Sequence, residues 1–125
     1  MSMNYKLILF LFRAKVFTQY FKKILKDCEK SQQLILLDLL DYLVVECKIP
    51  LHTQIASKDF ISFLIGLLKA KDTPEVQVKI LCLIKKWGVR FESQKDILPN
   101  FYETYKTLKS NGVIFPEKSE YIELY

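Results

Sequence analysis

Apolar residues return every three or four positions in five successive stretches of this chain, the periodicity of one-sided helices. Over 14–30, Phe17, Tyr20, Phe21, Ile24, Leu25 and Cys28 share one face, while Lys22, Lys23, Lys26 and Lys30 turn mostly away. That pattern predicts an amphipathic surface helix. Residues 32–47 differ, because Leu34, Ile35, Leu36, Leu37, Leu39, Leu40, Leu43, Val44 and Val45 cover nearly the whole circumference. A helix of that kind needs neighbours on every side, so it is predicted as the central helix of a stack, ended by Pro50. Ser57 is placed to cap a third helix over 58–69, with Phe60, Phe63, Leu64, Leu67 and Leu68 inward. Thr73 and Pro74 form a cap and first-turn pair opening 74–90, whose buried face reads Val76, Ile80, Leu83, Ile84 and Trp87 and continues to Phe91. A last helix is expected from near Asp96 through Phe101, Tyr105 and Leu108 to Asn111. There Gly112 suits a left-handed stop, Val113 packs back and Pro116 prevents a restart. The fold predicted is all-α.

Composition supports this. Three glycines and four prolines in 125 residues leave too few tight turns for an all-β sandwich or barrel, and the length suits one domain with its own core. Within it we expect an apolar N-terminal segment at 1–13, a helical domain at 14–116 and a loose polar tail at 117–125. The apolar run LILFLF, 7–12, is about a third of the roughly 20 residues that span a bilayer. It is also a poor secretory signal, since Arg13 and Lys15 follow at once and no small-residue cleavage site appears. The three cysteines, Cys28, Cys47 and Cys82, are odd in number and scattered, which fits a reducing compartment such as the cytosol.

Candidate chemistry is sparse. Cys47 and the sole histidine, His52, stand five positions apart, either as a thiol–imidazole pair or as a buried thiol near a helix end with a ring tying down the next loop. One histidine and three scattered cysteines lack zinc-ligand spacing, and no glycine-rich phosphate loop or nucleophile elbow occurs, so no catalytic residue, metal or cofactor is expected. Asp38 and Asp41 share one face of the second helix and read as surface or ion-pair groups. A net charge of +5 favours acidic lipid surfaces or acidic partners. Lys79, Lys86 and Arg90 recur on a face of 74–90 read as opposite the core, where they form either a solvated face or a patch for an acidic headgroup or peptide. No aromatic residues alternate with these bases, which argues against nucleic acid. Tyr121, Ile122, Glu123 and Leu124 match a short endocytic signal pattern that arises often by chance.

Three pieces in order carry a resemblance: the apolar helix ending in Cys47 with His52 and IASKDF after it, the run PEVQVKILCLIKKWGVRF, and YKTLKSNGVIFP. Together they resemble the VHS domain of STAM, Hrs and target-of-Myb type sorting adaptors, over roughly residues 14–116. The resemblance implies a right-handed superhelix of eight helices and a non-enzymatic adaptor of intracellular vesicle traffic. It also implies a cytoplasmic location, peripheral to endosomal or Golgi membranes. Two departures stand out. Glu46 and Lys48 flank Cys47 where the family usually has Asn and Gly, and about thirteen residues stand in place of the first two helices. Leaving the leucines of 32–47 wet on that side would forfeit about 1.5 to 3 kcal/mol each. We therefore expect LILFLF to fold down as a replacement helix.

The family commonly binds ubiquitin through its second and fourth helices. Only the fourth has a counterpart here, beginning near Gln32 and Gln33, which become the candidate contacts for ubiquitin or ubiquitinated cargo. A phosphoinositide membrane surface is the other expected partner, through Lys79, Lys86 and Arg90. In the Golgi branch, acidic dileucine cargo is gripped between the sixth and eighth helices. Ser57, Lys58 and Asp59 stand at the sixth-helix positions and Ser110 follows Lys109 on the last, so Asp59 would repel such cargo. The alternative reading is a structural or scaffold domain acting through self-association or a partner helix. An ENTH-like lipid module of the same superhelical kind is a third.

Overall fold

The helical faces read above are realised as α1 (Tyr5–Asp27), α2 (Lys30–Glu46), α3 (Lys58–Leu67), α4 (Pro74–Arg90) and α5 (Pro99–Ser110), with a short 3-10 turn at Glu92–Gln94. The computed structural model describes residues 5–46, 52, 54–69 and 74–116, with side chains from Arg13 onward. Among the described residues there is no strand, so the chain is all-α.

The first difference from expectation lies in α1. Residues 5–13 are not a separate replacement helix but the first part of one uninterrupted 23-residue helix. The reason is local: no glycine or proline occurs before Pro50, so nothing stops the helix from extending back from Ala14. Nor do all six residues of its expected apolar face turn inward. Phe21 and Leu25 are buried, whereas Tyr20 and Ile24 are exposed.

The second difference concerns which helix is central. α4 packs against α2, α3 and α5, while α2 packs against α1 and α4. On α2, Leu37, Leu40 and Val44 are fully buried, but Ile35, Leu39 and Tyr42 on the opposite side are 65%, 45% and 46% exposed. The all-round apolar helix therefore keeps one open face. α4 buries every position expected of it, Val76, Ile80, Leu83, Ile84 and Trp87, and Phe91 follows.

Ends and joints follow from their residues. Ser57 caps α3 as expected, its hydroxyl accepting from the backbone N–H of Phe60 at 3.2 Å. Thr73 and Pro50 lie outside the described residues. α5 begins three residues later than expected, because Pro99 disfavours the helical conformation at Leu98 and suits the first helical position instead. It ends as the sequence predicts, with Gly112 at φ 89°. The N–H of Val113 reaches the Leu108 carbonyl at 3.0 Å and that of Gly112 reaches Lys109 at 3.1 Å. That pair of bonds is a Schellman stop.

At Gly88 α4 and α5 approach tightly: a Cβ there would stand 2.5 Å from the Cβ of Tyr105. Around this approach Trp87 and Phe91 pack on Phe101, with ring centroids 5.5 and 5.0 Å apart.

Candidate interaction surface

Two aspartates of α2 that couple it to α4 lie largely inside rather than outside. Asp41 is buried, and both carboxylate oxygens are engaged: Oδ2 accepts from Lys86 Nζ at 2.7 Å and Oδ1 from Trp87 Nε1 at 3.0 Å. One turn away, Lys79 Nζ donates to Asp38 Oδ1 at 2.7 Å, and these two side chains are only 15% and 16% exposed. Lys79 and Lys86 are thus not on a face opposite the core, as the sequence reading had it. At 100° per residue they stand roughly a quarter-turn from the middle of the buried face, at its margin, where an aspartate of α2 meets each. Only Arg90 of that expected patch is exposed, its guanidinium carbon 5.8 Å from the centroid of the Phe91 ring. The aspartates' ion-pair role matches one of the two readings made of them.

Gln32 and Gln33 also hold structural positions. Gln33 is buried and its amide donates to the Leu25 carbonyl at 2.8 Å, which at the end of α1 also receives the Cys28 thiol at 3.7 Å. Gln32 is exposed, and its side-chain oxygen accepts from the backbone N–H of Glu29 at 3.2 Å, which is half of a capping box at the start of α2. The two glutamines therefore face different ways.

His52 has a similar binding-down role. Its Nε2 lies 2.6 Å from the Val44 carbonyl, and its ring sits edge-on to Phe91 at 5.0 Å. The imidazole fastens the segment after α2 to α2 itself and to the end of α4, which fits the structural alternative. Cys47 lies outside the described residues, as do Tyr121 to Leu124. Among the described residues, no three His, Cys, Asp or Glu side chains gather as a metal site. No helix there is long and apolar enough to cross a membrane.

Two further ion pairs are more exposed, one joining α1 to α3 and the other α2 to α4. Lys22 pairs with Asp59 at the start of α3, so Asp59 carries a partner of opposite charge. Lys30 Nζ stands 3.4 Å from Glu75 Oε2 in the first turn of α4. Glu75's own backbone N–H and then the Lys30 ammonium hold its carboxyl below the usual carboxylate range. On the last helix Lys109 lies over the Tyr105 ring at 5.8 Å.

What α2 offers outward is apolar. Ile35, Leu39 and Tyr42 form a ridge at four-and-three spacing, and Gln32 continues it at the helix start. The sequence reading missed this ridge as a surface because it took the helix to be covered on all sides. A signal was present: Asp38 and Asp41 mark the α4-facing side, which leaves 35, 39 and 42 turned away from the buried residues.

Compared with known proteins, the chain is similar over 107 residues and at 33% identity to TOM1-like protein 6 of Arabidopsis thaliana, covering 86% of this chain and 16% of that protein. It is 37% identical over 101 residues to vacuolar protein sorting-associated protein 27 of Neurospora crassa, covering 78% of this chain and 14% of that one. Target of Myb protein 1 of Dictyostelium discoideum is 37% identical over 98 residues, covering 77% and 14%. The chain thus spans about a seventh of the length of these relatives. No solved structure matches it. The VHS domain family itself matches residues 13–112, a stretch that begins inside α1 and closes at the Gly112 stop of α5, and the chain belongs to that family.

Proposed function

We propose that this VHS domain is a non-enzymatic adaptor module of intracellular vesicle traffic, acting at the cytoplasmic face of endosomal or Golgi membranes. It recognises ubiquitin, ubiquitinated cargo or another sorting partner and an acidic membrane surface. The relatives' names, one of them a vacuolar protein sorting-associated protein, support the trafficking role. The partner-binding role rests on one observation, the exposed ridge of Ile35, Leu39 and Tyr42 on α2. Together with Gln32 it replaces the pair Gln32 and Gln33 as the proposed contact, because Gln33 is turned inward. A shallow apolar ridge with a polar foot suits weak recognition of another folded surface.

Titrating isotope-labelled protein with ubiquitin and following amide shifts tests this. Shifts centred on Gln32, Ile35, Leu39 and Tyr42, removed by Leu39→Asp, are expected. No shift in α2 at millimolar ubiquitin refutes the ubiquitin part. The same ridge also favours the second reading, self-association, which predicts a dimer in sedimentation that Leu39→Asp dissociates.

A further inference from the structure

The net charge of +5 is not spread over the molecule. α1 holds six Lys or Arg against a single Asp, while the rest of the chain holds thirteen of each sign. One helix therefore carries the whole excess. Of its bases, Lys22 is paired with Asp59, whereas Arg13, Lys15, Lys23 and Lys26 are exposed and have no ion-pair partner among the described residues. At 100° per residue, Lys23 lies opposite buried Phe21 and Leu25, with Lys26 and Lys15 on one flank of it and Tyr20, Arg13 and Ile24 on the other. Tyr20 and Ile24 are 64% and 53% exposed, so apolar and basic side chains share this outer surface.

We propose that this outer face of α1 is the docking surface for an anionic lipid bilayer. α1 lies flat on the membrane with Lys23 toward it, Lys15 and Lys26 reaching headgroups along one flank, and Arg13, Tyr20 and Ile24 at headgroup level along the other. The span from Arg13 to Lys26 is about 20 Å, long enough to meet several headgroups at once. Charge complementarity selects an anionic partner, and the exposed isoleucine and tyrosine among the bases select a bilayer over a purely polar polyanion. This deepens the membrane part of the proposed function, rests on it, and moves the lipid contact from α4 to α1.

The test is co-sedimentation of the full chain with phosphatidylcholine vesicles, with and without phosphatidylserine, at low and physiological salt. Binding to the phosphatidylserine vesicles that weakens as salt rises is expected. Each base near an anionic surface is worth about fivefold in partitioning, so the variant carrying Arg13→Gln, Lys15→Gln, Lys23→Gln and Lys26→Gln should bind several hundredfold more weakly. Ile24→Ser should cost severalfold. Should the fourfold variant not fold, the pair Lys23→Gln and Lys26→Gln still predicts a drop of about 25-fold. Removing three exposed bases elsewhere, by Lys95→Gln, Lys106→Gln and Lys109→Gln, should cost far less than the α1 changes. If the unaltered protein binds no vesicle, the membrane part of the proposed function falls and this surface with it. If it binds but the α1 variants bind equally well, or the Lys95, Lys106 and Lys109 variant loses as much, only the assignment to α1 falls. Tighter binding to a soluble polyanion such as heparin than to vesicles, insensitive to Ile24→Ser, would mean an acidic macromolecule and overturn the bilayer.

Discussion

Replacing Asp41 by alanine tests the description of the α2–α4 interface most directly. The carboxylate is buried and receives two donors, the Lys86 ammonium at 2.7 Å and the Trp87 indole N–H at 3.0 Å. Without it, the indole N–H of Trp87, itself 1% exposed, loses its acceptor, at a cost of about 1 to 3 kcal/mol. Lys86 is a different case, because its side chain is already 26% exposed and can turn toward water. It therefore adds less than the 3 to 5 kcal/mol typical of stranding a buried charge. The expected total is about 3 kcal/mol for Asp41→Ala. Asp38 is itself more exposed than Asp41, 16% against 7%, and has one donor instead of two, so Asp38→Ala should cost less, about 1 to 2 kcal/mol.

Urea unfolding reads both, with fluorescence of Trp87, the chain's one tryptophan, as the signal and far-UV circular dichroism as a check. Lys86→Met supplies the reverse perturbation, leaving Asp41 buried with only the indole to meet it. The double change Asp41→Ala with Lys86→Met should be less destabilising than the two single changes added together, because it strands no charge. A loss below about 1 kcal/mol for Asp41→Ala, or strict additivity in the cycle, would refute the buried pairing and make the contact an ordinary surface ion pair.

Other consequences follow from single contacts. Gly88→Ala would ordinarily stabilise a helix by about 1 kcal/mol, but here the new methyl meets Tyr105, so urea unfolding should show a loss of about 1 to 3 kcal/mol and a gain would refute the close approach. Gly112→Ala strains a φ of 89° and should cost about 1 kcal/mol in the same assay, while leaving the α4 core untouched. Glu75 has its folded-state pKa lowered, so its contribution to stability is present above the usual carboxylate range and disappears as pH falls through the folded value. The urea midpoints of the native protein and Glu75→Gln should therefore differ near neutrality and converge in acid. A difference that grows with acidity would contradict that sign.

Features set by neighbours along the chain were legible in the sequence. Ser57 caps α3, Pro74 opens α4 and Gly112 closes α5, because each acts on backbone groups within a few residues of itself. The buried row from Val76 to Trp87 was legible for the same reason: one helix, one dominant apolar face. Features set by the pairing of helices were not. That Asp41 rather than water receives the Trp87 N–H depends on the register of α2 against α4, which neither helix specifies alone. Gln33 likewise reads as an exposed glutamine until the end of α1 is placed beside it, offering the Leu25 carbonyl. The α2 ridge was hidden by the same limit, since an apolar residue looks identical in sequence whether or not a neighbour covers it.

The lysines make the point with a consequence for function. By sequence alone, Lys79 and Lys86 on α4 resemble Lys23 and Lys26 on α1: all four are helical bases beside an apolar face. Across the interface, however, α2 presents Asp38 and Asp41 to the first two, and their charge is cancelled at 2.7 Å before it can act on anything outside. No carboxylate among the described residues is paired with Lys23 or Lys26. Because the field at long range depends on net charge and not on the number of bases, the same +5 that looked diffuse in composition becomes a property of one helix. On the proposed reading an acidic surface is steered to α1, so neutralising Lys79 on α4 should change stability while neutralising Lys23 on α1 should change binding.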